Sequence, residues 1–193
     1  MTKFPNLLQS GKLIKDSDPY KLEFTYKQLS KISYKADEFA KTIQRKYDNS
    51  VKRLQELQYR EFAAKCAFVY AKTNSFGFSS NENVNPDLMT KYKDMAWNDR
   101  VKTKRERREV EYNHIMHIKP EYMKSRYDAD MIRSIVRWIR QEYLNLNVYS
   151  EELSIYEREK HLEELTVHIT VFGAGKKYVY AVDIPELDLH KSF

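Results

Sequence analysis

From Tyr20 to Lys72 the chain contains neither glycine nor proline, and its apolar residues recur three, four or seven positions apart. A stretch of that length without a residue that breaks backbone regularity cannot be a loop, and the spacing is that of one face of a helix. Asp18-Pro19 offers a start, since aspartate caps and proline at the first helical position loses no hydrogen bond. Leu22, Leu29, Ile32, Ala36, Phe39 and Ile43 form the stripe. Asp48-Asn49-Ser50 is its one weak point: the chain either reverses there into a helical hairpin or continues unbroken, and the hairpin, which buries more, is the expectation. The second arm then carries Val51, Leu54, Leu57, Phe62, Ala63, Cys66, Val69 and Tyr70.

The rest of the chain divides around this stretch. Residues 1–17 read as an irregular leader, 18–72 as the helical hairpin and 73–85 as a linker rich in Ser, Asn and Gly (Phe76-Gly77-Phe78-Ser79-Ser80). Residues 86–164 read as a helical region. It starts at Asn85-Pro86-Asp87 by cap and proline, is interrupted at Lys119-Pro120-Glu121, and resumes with Met131, Ile132, Ile135, Val136, Trp138 and Ile139 on a broad apolar face. Ser150-Glu151-Glu152 caps a short acidic helix that ends near Glu164. Residues 165–184 alternate in period two around Gly173-Ala174-Gly175-Lys176, which predicts a β-hairpin with Thr166, His168 and Thr170 on one face and Val167, Ile169 and Val171 on the other. Residues 185–193 read as an acidic tail without clear structure. The expected fold class is mainly α: a bundle-like set of helices, including a helical hairpin, with a C-terminal β-hairpin.

Composition narrows the function classes. With 41% hydrophobic and 32% charged residues the chain suits a folded protein. One cysteine, Cys66, rules out an internal disulfide framework and a cysteine-based zinc site. No apolar run approaches the roughly twenty residues of a membrane span. Met1 to Ser10 has no signal-peptide core. These readings predict a soluble, intracellular protein that takes no cofactor, with peripheral membrane contact open. The net charge of +6 is unevenly placed: 15 basic against 8 acidic residues up to position 80, and 5 against 9 after position 147. A basic body suits an anionic partner.

Four groups of residues could carry chemistry. Lys102, Lys104, Arg105, Arg107 and Arg108, supported by Lys91, Lys93 and Arg100, give a helix the row of cations that phosphates require. Tyr92, Trp97 and Tyr112 add stacking surfaces. The bland reading of that row is a solvated face tied by Glu106, Glu109 and Glu111. Arg126, Arg133, Arg137 and Arg140, seven, four and three residues apart, form a second basic edge. Glu111-x-x-His114-x-x-His117 has a helical metal spacing but lacks further ligands. His168-Ile169-Thr170 resembles one half of the paired motif of two-histidine phosphoesterases, without a second copy. No nucleophile-elbow or triad arrangement is legible, so the expectation is a non-enzymatic protein.

Lys21-Leu22-Glu23-Phe24-Thr25-Tyr26-Lys27-Gln28-Leu29-Ser30-Lys31, with Cys66-Ala67-Phe68-Val69-Tyr70-Ala71 further on, resembles the N-terminal helical hairpin of the ESCRT-III (charged multivesicular body protein) family. The resemblance covers residues 20–72 and implies assembly on acidic membranes, with Lys27, Lys31, Lys35 and Lys41 on the basic surface. The leading expectation is a basic helical binding or assembly protein whose partner is nucleic acid, contacted through Lys102, Lys104, Arg105, Arg107, Arg108, Arg133, Arg137 and Arg140. The alternatives are an ESCRT-III-like membrane-remodelling subunit and a regulator, viral among the options, that binds a host protein near Trp138. Homo-oligomer formation is compatible with each.

Overall fold

The computed structural model describes residues 8–15, 19–75, 85–147, 154–172 and 178–193. Their order is β1 (Lys12–Lys15), β2 (Tyr20–Thr25), α1 (Tyr26–Ser75), α2 (Pro86–Asn113), a π-turn (His114–Ile118), α3 (Lys119–Asn147), α4 (Ile155–Glu164), β3 (Thr166–Phe172), β4 (Val179–Ile184), a 3-10 turn (Pro185–Leu187) and β5 (Leu189–Ser192). Long helices and C-terminal strands make the fold mainly α, as the sequence predicts. The chain forms two compact units. One comprises residues up to Lys41 together with Met123–Phe193, and the other Thr42–Tyr122.

The first unit is built on a sheet of order β1-β2-β3-β4-β5, antiparallel throughout. Tyr20–Thr25 is therefore a strand, where a helix starting at Asp18-Pro19 was expected. Leu22 and Phe24 alternate inward at 0% and 1% exposure, and this strand pairs with β3 from Tyr20↔Val171 to Thr25↔Thr166. The seven-residue spacing of Leu22 and Leu29 suits a helix, but period two over six residues suits a strand equally, and pairing with β3 decides. The helix starts one residue past the strand. Thr25 and Gln28 cap it reciprocally: the Gln28 N–H donates to Thr25 Oγ1 at 3.2 Å and the Thr25 N–H to Gln28 Oε1 at 2.8 Å.

The tail expected to lack structure closes the sheet. Asp188 adopts a left-handed φ of 50° after the 3-10 turn, and β5 then pairs with β4. Phe193 and Tyr180 exchange backbone hydrogen bonds of 2.7 and 3.2 Å. On β3, Val167, Ile169 and Val171 are buried while Thr166, His168 and Thr170 are half-buried on the opposite face, the division that alternation predicts. The inner face meets Leu29 and Ile32 of α1, Ile132, Ile135, Trp138, Ile139 and Tyr143 of α3, and Leu162 of α4 in one apolar core. Ser154 caps α4 with Glu157 in a capping box. The cap expected at Ser150–Glu152, the Gly173–Lys176 turn and the Phe76–Ser80 segment lie outside the described residues.

The reversal expected at Asp48-Asn49-Ser50 does not occur, because α1 is unbroken from Tyr26 to Ser75. None of the three residues removes a backbone donor, so nothing local stops the helix. Gln44 Nε2 donates to Asp48 Oδ1 at 3.0 Å one turn away, and Ser50 is buried. Leu29, Ala36, Ile43, Ser50, Leu57, Ala64 and Ala71 recur every seven residues, each at most 8% exposed. That face is strict, and it excludes several residues of the expected stripe and second arm. Phe39, Phe62, Cys66, Val69 and Tyr70 are all exposed.

Lys119-Pro120 does not interrupt its helix either. The π-turn lies just before it, with the Lys119 N–H donating to the His114 carbonyl five residues back. Widening the turn accommodates a proline that has no N–H to give. It also inserts a residue. Ala96 and Thr103 are buried seven apart, as are Ser125, Ile132 and Ile139, but Thr103 and Ser125 are one residue more than three heptads apart. The π-turn supplies the extra residue.

Candidate nucleic-acid interface

In the second unit, α1 from Thr42 onward lies antiparallel to α2. The seam between them is thin. Among the described residues, its fully buried large aliphatic side chains are Ile43 and Leu57; Ala64, Ala71, Ala96 and Thr103 make up much of the rest. Small residues let the backbones approach and leave little apolar area to bury, so polar contacts hold the register. His114 Nδ1 lies 3.0 Å from Ser50 Oγ, and its ring packs against Tyr47 at 5.0 Å, which also stacks on Tyr122 at 4.5 Å. Arg53 pairs with Glu106, and Arg60 with Asp99 at 3.6 Å. Phe68 meets Trp97 at 5.1 Å.

This geometry separates the expected cations of α2. Arg107 turns to the seam, where its Nε donates to Glu61 at 2.7 Å and its Nη1 to Glu111 at 3.1 Å, with 24% of the side chain exposed. Two carboxylates and partial burial make it a member of the helix–helix contact. Lys102, Arg105 and Arg108 are exposed and Lys104 half-exposed. Of these four, Arg105 has a carboxylate partner, Glu109 at 3.3 Å, in an exposed pair of the kind worth little. No ion pair of Lys102, Lys104 or Arg108 occurs among the described residues.

Helical spacing then groups the outward residues. Trp97, Val101, Lys104, Arg108 and Tyr112 follow at steps of four, three, four and four, with Arg105 beside Arg108. This row ends on Tyr112, 63% exposed, and at its other end on Trp97, which leaves 46% of its surface exposed while its ring also meets Phe68 at the seam; three cations lie between them. Its length is about 22 Å at 1.5 Å per residue. Arg100 lies over the Trp97 ring at 5.7 Å from its centroid. Lys102 occupies the flank next to this face.

The second basic edge belongs to the other unit. Arg133 is committed there, paired to Asp37 and, at 2.7 Å, to Asp130; both partners hold its guanidinium firmly charged, Asp37 the more strongly. Arg137 is exposed, and Arg140 reaches Glu159 only at 4.0 Å. Arg126 is 3.8 Å from Asp130.

The remaining candidates do not converge on a reaction centre. Glu111 is taken by Arg107 and His114 by Ser50, while His117 lies edge-on to Tyr112 at 6.3 Å. Among the described residues no three His, Cys, Asp or Glu side chains are placed to hold a metal ion. His168 stands on the outer face of the sheet with Nε2 3.5 Å from Glu23 Oε2. Lys12, 3.1 Å from the same carboxylate, lowers the Glu23 pKa, and His168 adds to the effect. His168 pairs across the strands with Asp183, and Asp183 with His190, so the row Lys12, Glu23, His168, Asp183, His190 alternates in charge type across all five strands. Cross-strand pairing accounts for it as a structural ladder.

Three of the lysines that the ESCRT-III resemblance places on a basic surface, Lys27, Lys31 and Lys35, line a groove on α1. Tyr26, Lys27, Ser30, Lys31, Tyr34 and Lys35, with Glu163 of α4, line a cavity of about 380 Å³. Lys27 is tied to Glu163 at 2.6 Å, which raises its pKa. Lysines four apart beside two tyrosines were the signal available in the sequence. No family model, curated protein or solved structure matches the chain. No helix among the described residues is long and apolar enough to cross a membrane.

Proposed function

We propose that this is a non-enzymatic nucleic-acid-binding protein whose contact surface is the outer face of α2. Lys104, Arg105 and Arg108 engage phosphates, Lys102 adds a contact on the flank, and Trp97 and Tyr112 offer ring faces to bases. The observation that supports this reading is the row of outward cations between two rings with exposed surface, on a helix whose Arg107 the seam has already taken. Lys104 and Arg108 bind phosphate without first breaking an internal pair, Arg105 gives up only an exposed pair with Glu109, and aromatic rings at either end suit an unpaired strand better than a closed duplex. Arg137 and Arg140 form a separate edge on the other unit.

The test is binding to single-stranded and duplex oligonucleotides at two salt concentrations. Each phosphate contact steepens the logarithmic salt dependence by about 0.9 for duplex and about 0.7 for single strands. Replacing Lys104, Arg105 and Arg108 with glutamine is expected to flatten that slope by about 2 on single strands. Trp97→Ala is expected to weaken binding at both salts equally. Affinity that ignores salt, or a triple variant that binds like the parent, overturns the proposal. Acidic liposomes serve as the comparison for an ESCRT-III-like role. Liposome binding that depends on Lys31 and Lys35, without oligonucleotide binding, favours that role.

A further inference from the structure

The far side of α1 carries a second apolar stripe that its antiparallel partner does not cover. Tyr59, Phe62, Cys66 and Val69 follow at steps of three, four and three, with Tyr70 alongside. They point away from the buried positions Leu57, Ala64 and Ala71. Tyr59 is 75% exposed, Phe62 63%, Tyr70 60% and Val69 52%, and Cys66 is exposed as well. We propose that this stripe is a self-association surface on which a second copy of the chain packs the same segment of α1 in antiparallel register.

Two features of the stripe select that occupant. The first is its pattern. Alternating steps of three and four are what a helix presents to another helix, and in an antiparallel pair centred on residue 64 each layer sets an aromatic ring against a non-aromatic side chain. Tyr59 faces Val69 of the second copy, and Phe62 faces Cys66. A parallel pair sets Phe62 on Phe62 and Cys66 on Cys66, crowding one layer and emptying the next. The second is area. An aromatic side chain offers roughly 200 Å² when fully exposed, so at these exposures the four large side chains present roughly 450–500 Å². Two copies then bury roughly 900–1,000 Å², the scale of a weak, reversible protein–protein contact. A symmetric pair also closes on itself and leaves no stripe exposed.

The 193-residue chain, freed of nucleic acid, is examined by sedimentation velocity from about 1 to about 100 µM, the range in which a contact of this size shows itself. A concentration-dependent dimer is expected. Phe62→Glu, at a position already exposed, is expected to weaken it at least tenfold while leaving the circular dichroism spectrum unchanged. Register is read by disulfide trapping, because the chain has a single cysteine and any disulfide in the parent must be intermolecular. Phe62→Cys, with Cys66 kept, is expected to form a 62–66 crosslink between copies. Tyr59→Cys with Cys66→Ser is expected to form none, and adding Val69→Cys to that variant restores crosslinking. A parent that stays monomeric, a dimer indifferent to Phe62→Glu, or crosslinks that join only identical positions each overturn the proposal. In the first case the stripe belongs to a different protein's helix.

Discussion

Thr103→Val should stabilise the protein, although it removes a polar atom from a helix of a highly charged chain. Thr103 has no exposed surface, and its Oγ1 has no hydrogen-bond partner. A buried hydroxyl without a partner costs about 1–3 kcal/mol of desolvation. Valine keeps the branched shape and nearly the same helix propensity, so little opposes the gain. The expected change is about 1–2 kcal/mol in favour of the folded state, or roughly 2–8 °C in Tm for a chain of this size. Urea unfolding followed by circular dichroism at 222 nm measures it. Thr103→Ser is the control, because it keeps the hydroxyl and deletes a buried methyl, and it should destabilise by about 1 kcal/mol. A valine variant less stable than the parent by 1 kcal/mol or more refutes the reasoning. It would mean that the hydroxyl is bonded, with the carbonyl one turn earlier as the obvious acceptor.

Two further outcomes follow from the first unit, alongside the salt-slope and self-association tests above. A Cβ at Gly11 would lie 2.3 Å from Cζ of the buried Phe24 ring, so Gly11→Ala should cost about 1–3 kcal/mol in urea unfolding, and Phe24→Leu should recover part of it. Burial holds the Asp128 carboxyl above its usual range, with Lys124 pulling the other way. A carboxyl raised in the folded state favours folding below its unfolded pKa, and that contribution is lost as the pH rises through the folded value. Asp128→Asn should therefore gain on the parent as pH rises from about 3 to about 7, and thermal unfolding that shows a pH-independent difference refutes this.

The candidate interface was partly legible. Lys102 to Arg108 announced a basic helix, but sequence spacing alone could not show that Arg107 turns inward. Glu61, its partner, is 46 residues away in the chain. The same holds for Arg133 and Asp37, 96 residues apart. The Thr25-x-x-Gln28 cap that starts the helix is local, yet the stripe expected from the sequence begins at Leu22, which belongs to a strand.

Local physics settled the elements whose cause is local. A long stretch without glycine or proline gave the helix Tyr26–Ser75 nothing to break it. Asn85-Pro86 had to begin a helix, and alternation at residues 166–171 had to divide a strand into an inner and an outer face. Tertiary structure decided what local preference leaves nearly balanced. The chain passes straight through Asp48-Asn49-Ser50, because Ser50 gains a buried partner in His114. Residues 20–25 extend because β3 offers them a ladder, and the last residues become β5 because β4 has a free edge. In each case the local cost is comparable to one weak interaction, so the partner that arrives from far along the chain determines the outcome.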